Sequence, residues 1–322
     1  ADIQAGASDG KAIAISRVTI TDGLVDADNA LTAAAITYEG VRITDAAGTA
    51  TSEASSVRLS SPRLGETAQN SGIAALLGNF DGLVVSSLTA QSESGEAISV
   101  GTLSLLVAAP ERPGVEAGTI TMEDLVIGPE LLDPPTAERL NSLGYDGLTI
   151  DFSAAGEWEA ATGAAVLERS RLAVAGMGAL ELEASATGLT QESYRTLSAG
   201  GVDFAALLEV MGTISIQNLT VGFADDGLTD RLIEAGAQES GIERGALIER
   251  IVGTMSGPLA ALGDASFAEM VTGHARAFLA QPGRIAVRAR PASAVTALQV
   301  ISAATLNPQL LPELLAIEIE RQ

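Results

Sequence analysis

Along residues 11–127 the chain alternates apolar and polar positions in short runs, and Gly, Asp or Ser interrupts the alternation every ten to fifteen residues. In Ala12 to Ile20, Ala35 to Ile43 and Val57 to Ser60 the apolar side chains recur at i and i+2, a spacing that puts them on one face of a strand. The pattern predicts an antiparallel β-meander. A weak internal repeat runs through it: Gly40 to Asp45 leads into a turn and then Ala54 to Leu59, and Ser87 to Ala90 leads to Gly101 to Leu106. Asp22-Gly23, Asp81-Gly82 and Asp146-Gly147 each precede an apolar pair or strand start. Asp-Gly favours the positive φ of tight turns, so these are read as punctuation between strands.

Asp133-Pro134-Pro135 predicts a short helix, with Asp133 as its cap, Pro134 in its first turn and Gly144 as its end. Three strands are expected next, at about Gly147 to Ser153, Ala164 to Ala175 and Gly178 to Thr187, then a short helix capped by Thr190 and a strand from Thr213 to Val221. From Leu228 the apolar period becomes helical. Leu247, Ile248, Ile251, Val252, Met255, Leu259 and Leu262 make one stripe. Ser266 with Glu269 matches a capping box, and Phe267, Met270, Val271, His274 and Phe278 share a face of the helix it predicts. A strand at Arg284 to Arg290, a short helix from Asn307-Pro308 and a strand at Ile317 to Ile319 complete the reading.

The expected fold class is therefore α+β: a predominantly antiparallel β-meander with a helical C-terminal region packed on the sheet. Residues 1–10 are read as a flexible leader, 11–227 as a strand-rich elongated sheet with short helices, and 228–322 as a helical region with returning strands, continuous with the same body.

Composition narrows the chemistry. The chain has 322 residues, 47% hydrophobic but only 3% aromatic, so small aliphatic side chains must fill its core. It has no Cys, which excludes disulfides and thiolate chemistry. No apolar run approaches the roughly 20 residues of a spanning helix, and no transmembrane segment is expected. The net charge of −23 repels phosphate backbones and excludes nucleic acid as an expected partner. The chain begins Ala1-Asp2-Ile3 without Met. We read this as an exported chain after removal of its signal, although a trimmed chain would begin the same way.

Candidate chemistry is sparse. Gly6 to Gly10 has the G-x-S-x-G spacing of a nucleophile elbow but lacks a preceding strand. His274 is the sole histidine, so it builds no histidine metal centre, and its place among Phe267, Met270 and Phe278 favours packing. Glu181 with Glu183, and Glu157 with Glu159, have the i, i+2 spacing of carboxylates on one strand face, which a glycosidase would need. The one tryptophan, Trp158, offers little platform for sugars. Acids at Asp22, Asp26 and Asp28, and at Asp225 and Asp226, offer oxygen ligands for Ca²⁺ but do not follow the twelve-residue calcium loop. We read both sets as acidic turns and strand faces, and expect no catalytic residue, metal or cofactor.

The unit Gly40 to Asp45 followed by Ala54 to Leu59, with the meander from Leu148 to Ala186, resembles AsmA-like and YdgA-like envelope proteins of proteobacteria. It is also similar to exported alphaproteobacterial proteins of unassigned function that end in a helical segment and a strand. The resemblance implies a periplasmic β-sheet whose apolar face holds or guides lipid chains, and it transfers no catalytic residues. The resulting expectation is a nonenzymatic periplasmic protein binding a lipid or other hydrophobic ligand, with Phe267, Met270, His274 and Phe278 as candidate ligand contacts. The alternatives are an extracellular or cell-surface structural subunit that assembles through sheet edges and, more distantly, a carbohydrate hydrolase.

Overall fold

A computed structural model describes residues 3–6, 12–25, 31–45, 49–64, 80–91, 97–108, 115–198, 204–262 and 265–322. They divide into two compact units, the first formed by Ala1–Ala109 and Ala117–Ser153, the second by Pro110–Glu116 and Ala154–Gln322. The division does not fall at residue 227, where the apolar period changes. The C-terminal helices belong to the same unit as the strands that precede them.

The strands met first along the chain are β1 (Ile3–Gly6), β2 (Ala12–Thr21), β3 (Leu24–Val25), β4 (Leu31–Thr32), β5 (Ala35–Thr44) and β6 (Ala50–Ser60). They are followed by β7 (Arg63–Leu64), β8 (Gly82–Gln91), β9 (Ala97–Ala108), β10 (Val115–Ile127) and β11 (Leu148–Glu159). In unit 1, β1, β2, β5, β6, β8, β9 and β10 pair in that order, each antiparallel to the next. β3, β4 and β7 form a small sheet of their own. Before β11 stands α1 (Pro134–Ser142), where the Asp133 carboxylate accepts from the Thr136 N–H at 3.1 Å and Gly144 adopts φ 81°. These are the cap and the stop that the sequence predicts.

Unit 2 contains the remainder of β11 with β12 (Ala164–Val174), β13 (Gly178–Thr187), β14 (Ser215–Asp225), β15 (Arg284–Ala289), β16 (Val295–Thr296) and β17 (Ile317–Arg321). β12, β13, β14, β15 and β17 are antiparallel neighbours in that order, and β16 pairs with β14. Its helices are α2 (Gln191–Ser198), α3 (Phe204–Thr213), α4 (Leu228–Ser240), α5 (Arg244–Leu262), α6 (Ala265–Ala280), α7 (Ala297–Leu306) and α8 (Leu311–Leu314). The fold is thus a large antiparallel meander with its helices concentrated in the C-terminal region, as the change of apolar period predicts.

The unit 2 core follows from helical spacing. Ile233 of α4 meets Leu247, Ile248 and Val252 of α5, all buried, and Ile251 and Leu279 pack against them. The predicted α5 stripe does not hold to its end, because Leu262 is 42% exposed and Pro258 stands inside the helix. Phe278 of α6 is buried and meets Phe223 of β14 edge to face, with ring centroids 6.1 Å apart.

The expected capping box at Ser266 and Glu269 is not the start of α6, which already includes Ala265. A reciprocal capping box stands instead at Thr296 and Gln299, opening α7. Neither α3 nor α7 is predicted by the sequence pattern; both are short, and α7 fully buries none of its residues.

Candidate functional site

In unit 1 the strand pairing lines up apolar residues in rows that cross the sheet. Ile20, Ile36, Leu59, Leu83, Leu105 and Ile120 are successive cross-strand partners. So are Val18, Tyr38, Val57, Val85, Leu103 and Met122. Further along the same strands Ile13, Ile43 and Ser52 continue to Ala90, Ile98 and Ile127, and Ile15 pairs with Val41, which pairs with Ala54. Cross-strand apolar pairs of this kind stabilise a sheet from its own surface. They do not leave that surface covered: Ile20 is 49% exposed, Ile13 39%, Ile98 38% and Ile120 38%.

Between the two sets of rows runs a line of small and polar residues: Ser16, Gly40, Ser55, Ser87, Gly101 and Asp124, set by the flanking register. Gly40, Ser87 and Asp124 have φ of 61°, 50° and 55°, so left-handed residues recur on β5, β8 and β10. The apolar positions of each strand follow i, i+2, i+5, i+7 across this line, as in Ile36, Tyr38, Val41 and Ile43. In an unbroken strand the second pair would point to the opposite face. On β5, β8 and β10 a left-handed residue interrupts the alternation at this line. Gly40 is required twice over, because a Cβ there would come within 2.5 Å of Ser16 Oγ as well as straining the left-handed backbone. Ser16, Gly40, Arg42, Glu53, Ser55 and Ser87 contribute to a polar cleft of about 390 Å³, where Arg42 pairs with Glu53 at 2.7 Å.

Of the four side chains singled out in the sequence, the structure brings three to open clefts and buries one. Phe267 and Met270 line a cleft with Leu310 and Pro312, and Met270 and His274 line another with Arg321. Phe278 is a core residue against Phe223. The partners Leu310 and Arg321 were not singled out, and nothing in the local sequence around them signals the groove.

One member of each carboxylate pair, Glu181 and Glu159, is committed to other bonds. Glu181 accepts from Arg171 Nη1 at 2.9 Å and Arg284 Nε at 3.0 Å. Burial pushes its carboxyl up, but the hydrogen bonds and charges of Arg284 and Arg171 outweigh burial and hold it below the ordinary glutamate range. Glu159 accepts from the Thr162 hydroxyl at 2.6 Å, and Trp158, between Glu157 and Glu159, donates its indole N–H to the Leu189 carbonyl at 2.6 Å. The Asp225 carboxylate accepts from the N–H groups of Gly227 and Thr229 and from the Thr229 hydroxyl, fastening the start of α4, while Asp226 accepts from the Gly176 N–H. Asp26, Asp28 and residues 7–10 of the G-x-S-x-G stretch lie outside the described residues. Among the described residues no three His, Asp or Glu are grouped to hold a metal ion. No described helix is long and apolar enough to cross a membrane.

Residues 171–322, all within unit 2, match a family model described only as "Uncharacterized protein". No curated protein matches the chain. The open sheet of unit 1 lies outside the matched segment.

Proposed function

We propose that this chain is an exported, nonenzymatic protein of the periplasm that binds a lipid or another hydrophobic ligand in an envelope pathway. The observation that carries this reading is the set of apolar rows across β2, β5, β6, β8, β9 and β10, in which Ile13, Ile20, Ile98 and Ile120 stay exposed while Ile36 is buried. An antiparallel sheet with one solvated face ordinarily places polar side chains there. Apolar residues repeated across six strands form a contiguous patch, and such patches mark ligand or partner surfaces. The resemblance to AsmA-like and YdgA-like envelope proteins supports the same reading, and the charge of −23 opposes a nucleic-acid partner.

The test is mass spectrometry of organic extracts from natively purified protein, compared with a Leu83→Asn, Leu105→Asn double variant. Both residues sit in the middle of one row. Lipid recovered with the parent and depleted in the folded variant supports the proposal. Ordered polymers in electron micrographs with no lipid would turn the reading to a surface or filament subunit, and turnover of a glycan panel would turn it to a hydrolase.

A further inference from the structure

A second apolar surface meets water in unit 2, along one side of α6. Phe267, Met270, Gly273, His274 and Ala277 follow at three- and four-residue spacing, which makes one stripe of the helix. Two clefts of about 470 Å³ each lie over this stripe. The first joins Phe267 and Met270 to Leu310 and Pro312; the second runs over Met270, Gly273, His274 and Ala277 to Arg321. Met270 lines both, so they are adjoining parts of one groove.

One cleft of the groove carries Phe267, Leu310 and Pro312, and the other carries the Arg321 guanidinium, with Glu269 also in its lining. Arg321 donates to the Ala277 and Gln281 carbonyls at 3.2 and 3.5 Å, and among the described residues it has no carboxylate partner. Arg171, Arg284 and Arg288 of the same unit each have one. The His274 imidazole makes no hydrogen bond among the described residues. Glu269 and Glu313 stand at the groove as exposed residues. At its middle, a Cβ placed on Gly273 would meet nothing within 4 Å. A glycine inside a helix costs about 1 kcal/mol relative to alanine. No neighbouring atom demands it here, and its effect is to leave the floor of the groove bare.

We propose that this groove holds one long-chain fatty acid, its carboxylate on Arg321 and His274 and its chain running over Gly273 and Met270 toward Phe267 and Leu310. A planar guanidinium with donors to spare suits a carboxylate. One such group beside one apolar track suits a single-chain acid better than a two-chain phospholipid. The inference shares the premise that the chain binds apolar ligands, but it concerns a separate place.

The experiment titrates the full chain with cis-parinaric acid and with its methyl ester, in the parent and in the Leu83→Asn, Leu105→Asn background. Acid is expected to bind at least about tenfold tighter than ester, since a charge-assisted hydrogen bond is at stake. Gly273→Leu should weaken binding of the acid about tenfold or more while leaving the melting temperature equal or higher, because leucine is the better helix former. Arg321→Gln should erase the preference for acid over ester. Retention of these effects in the double-variant background separates this site from the unit 1 sheet. Acid binding to Gly273→Leu at the parent's strength, or equal binding of acid and ester by the parent, overturns the proposal.

Discussion

The backbone N–H of Asp124 donates to the Asp151 carboxylate at 2.9 Å, at the point where Asp124 takes a left-handed φ of 55° on β10. A residue turned out of strand conformation loses the partner its N–H would have found in the ladder, and here a neighbouring side chain replaces it. Asp124→Gly should be tolerated, because glycine enters the left-handed region freely, whereas Asp124→Val should destabilise by about 1 to 3 kcal/mol. Urea unfolding that placed the two variants at the same midpoint would show that the conformation is unimportant.

The ladder around Glu181 predicts a pH dependence. Its carboxyl is held low by Arg284 and Arg171 against the opposing push of burial. A folded pKa below the unfolded one gives stability that is complete above the unfolded value, about 4.3, and that is lost as pH falls through the lower folded value. Glu181→Gln should remove that part of the acid-side slope and cost about 1 to 2 kcal/mol at neutral pH. Thermal melts between neutral pH and pH 3 measure both quantities, and parallel slopes for parent and variant contradict the assignment.

Thr220 offers the reverse case. It is 4% exposed and its hydroxyl has no hydrogen-bond partner among the described residues. Thr220→Val keeps the β-branched shape and removes the unsatisfied group, so it should be neutral or stabilising by up to about 1 kcal/mol. A loss of stability in chemical denaturation would reveal a partner for that oxygen in solution.

Phe278 and Phe267 stand on the same helix but in different surroundings. Phe278→Ala removes a buried ring and its edge contact with Phe223, and should cost about 3 to 5 kcal/mol. Phe267→Ala, at a half-exposed cleft, should cost clearly less. Calorimetric melts that ranked them the other way would reassign which ring serves the core.

Much of the meander was legible because a two-residue period leaves its mark on every strand, and α1 was legible because Asp133 and Pro134 are local signals. What escaped depends on distance along the chain. Arg284 reaches Glu181 across 103 residues, and no spacing rule connects them. The two glutamates spaced as a catalytic pair give one member, Glu181, to that bridge. The i, i+2, i+5, i+7 rhythm of β5 was present in the letters, but its break at Gly40 acquires meaning only when Ser87 and Asp124 are seen in the same line. Phe267 and Met270 were visible as a helix face; that Leu310 and Arg321 complete their groove depends on how the last forty residues return.

Trp158 is the only tryptophan, and its indole is fixed to the Leu189 carbonyl within unit 2. Tryptophan emission from this chain is consequently a local gauge. A titration read with tryptophan excited apart from the tyrosines follows the surroundings of one strand end and the segment after β13, while loss of the sheet in unit 1 is read through the amide ultraviolet. Transitions that coincide in the two spectra would mean that the units melt together; transitions that separate would assign the emission change to unit 2 by construction of the sequence itself.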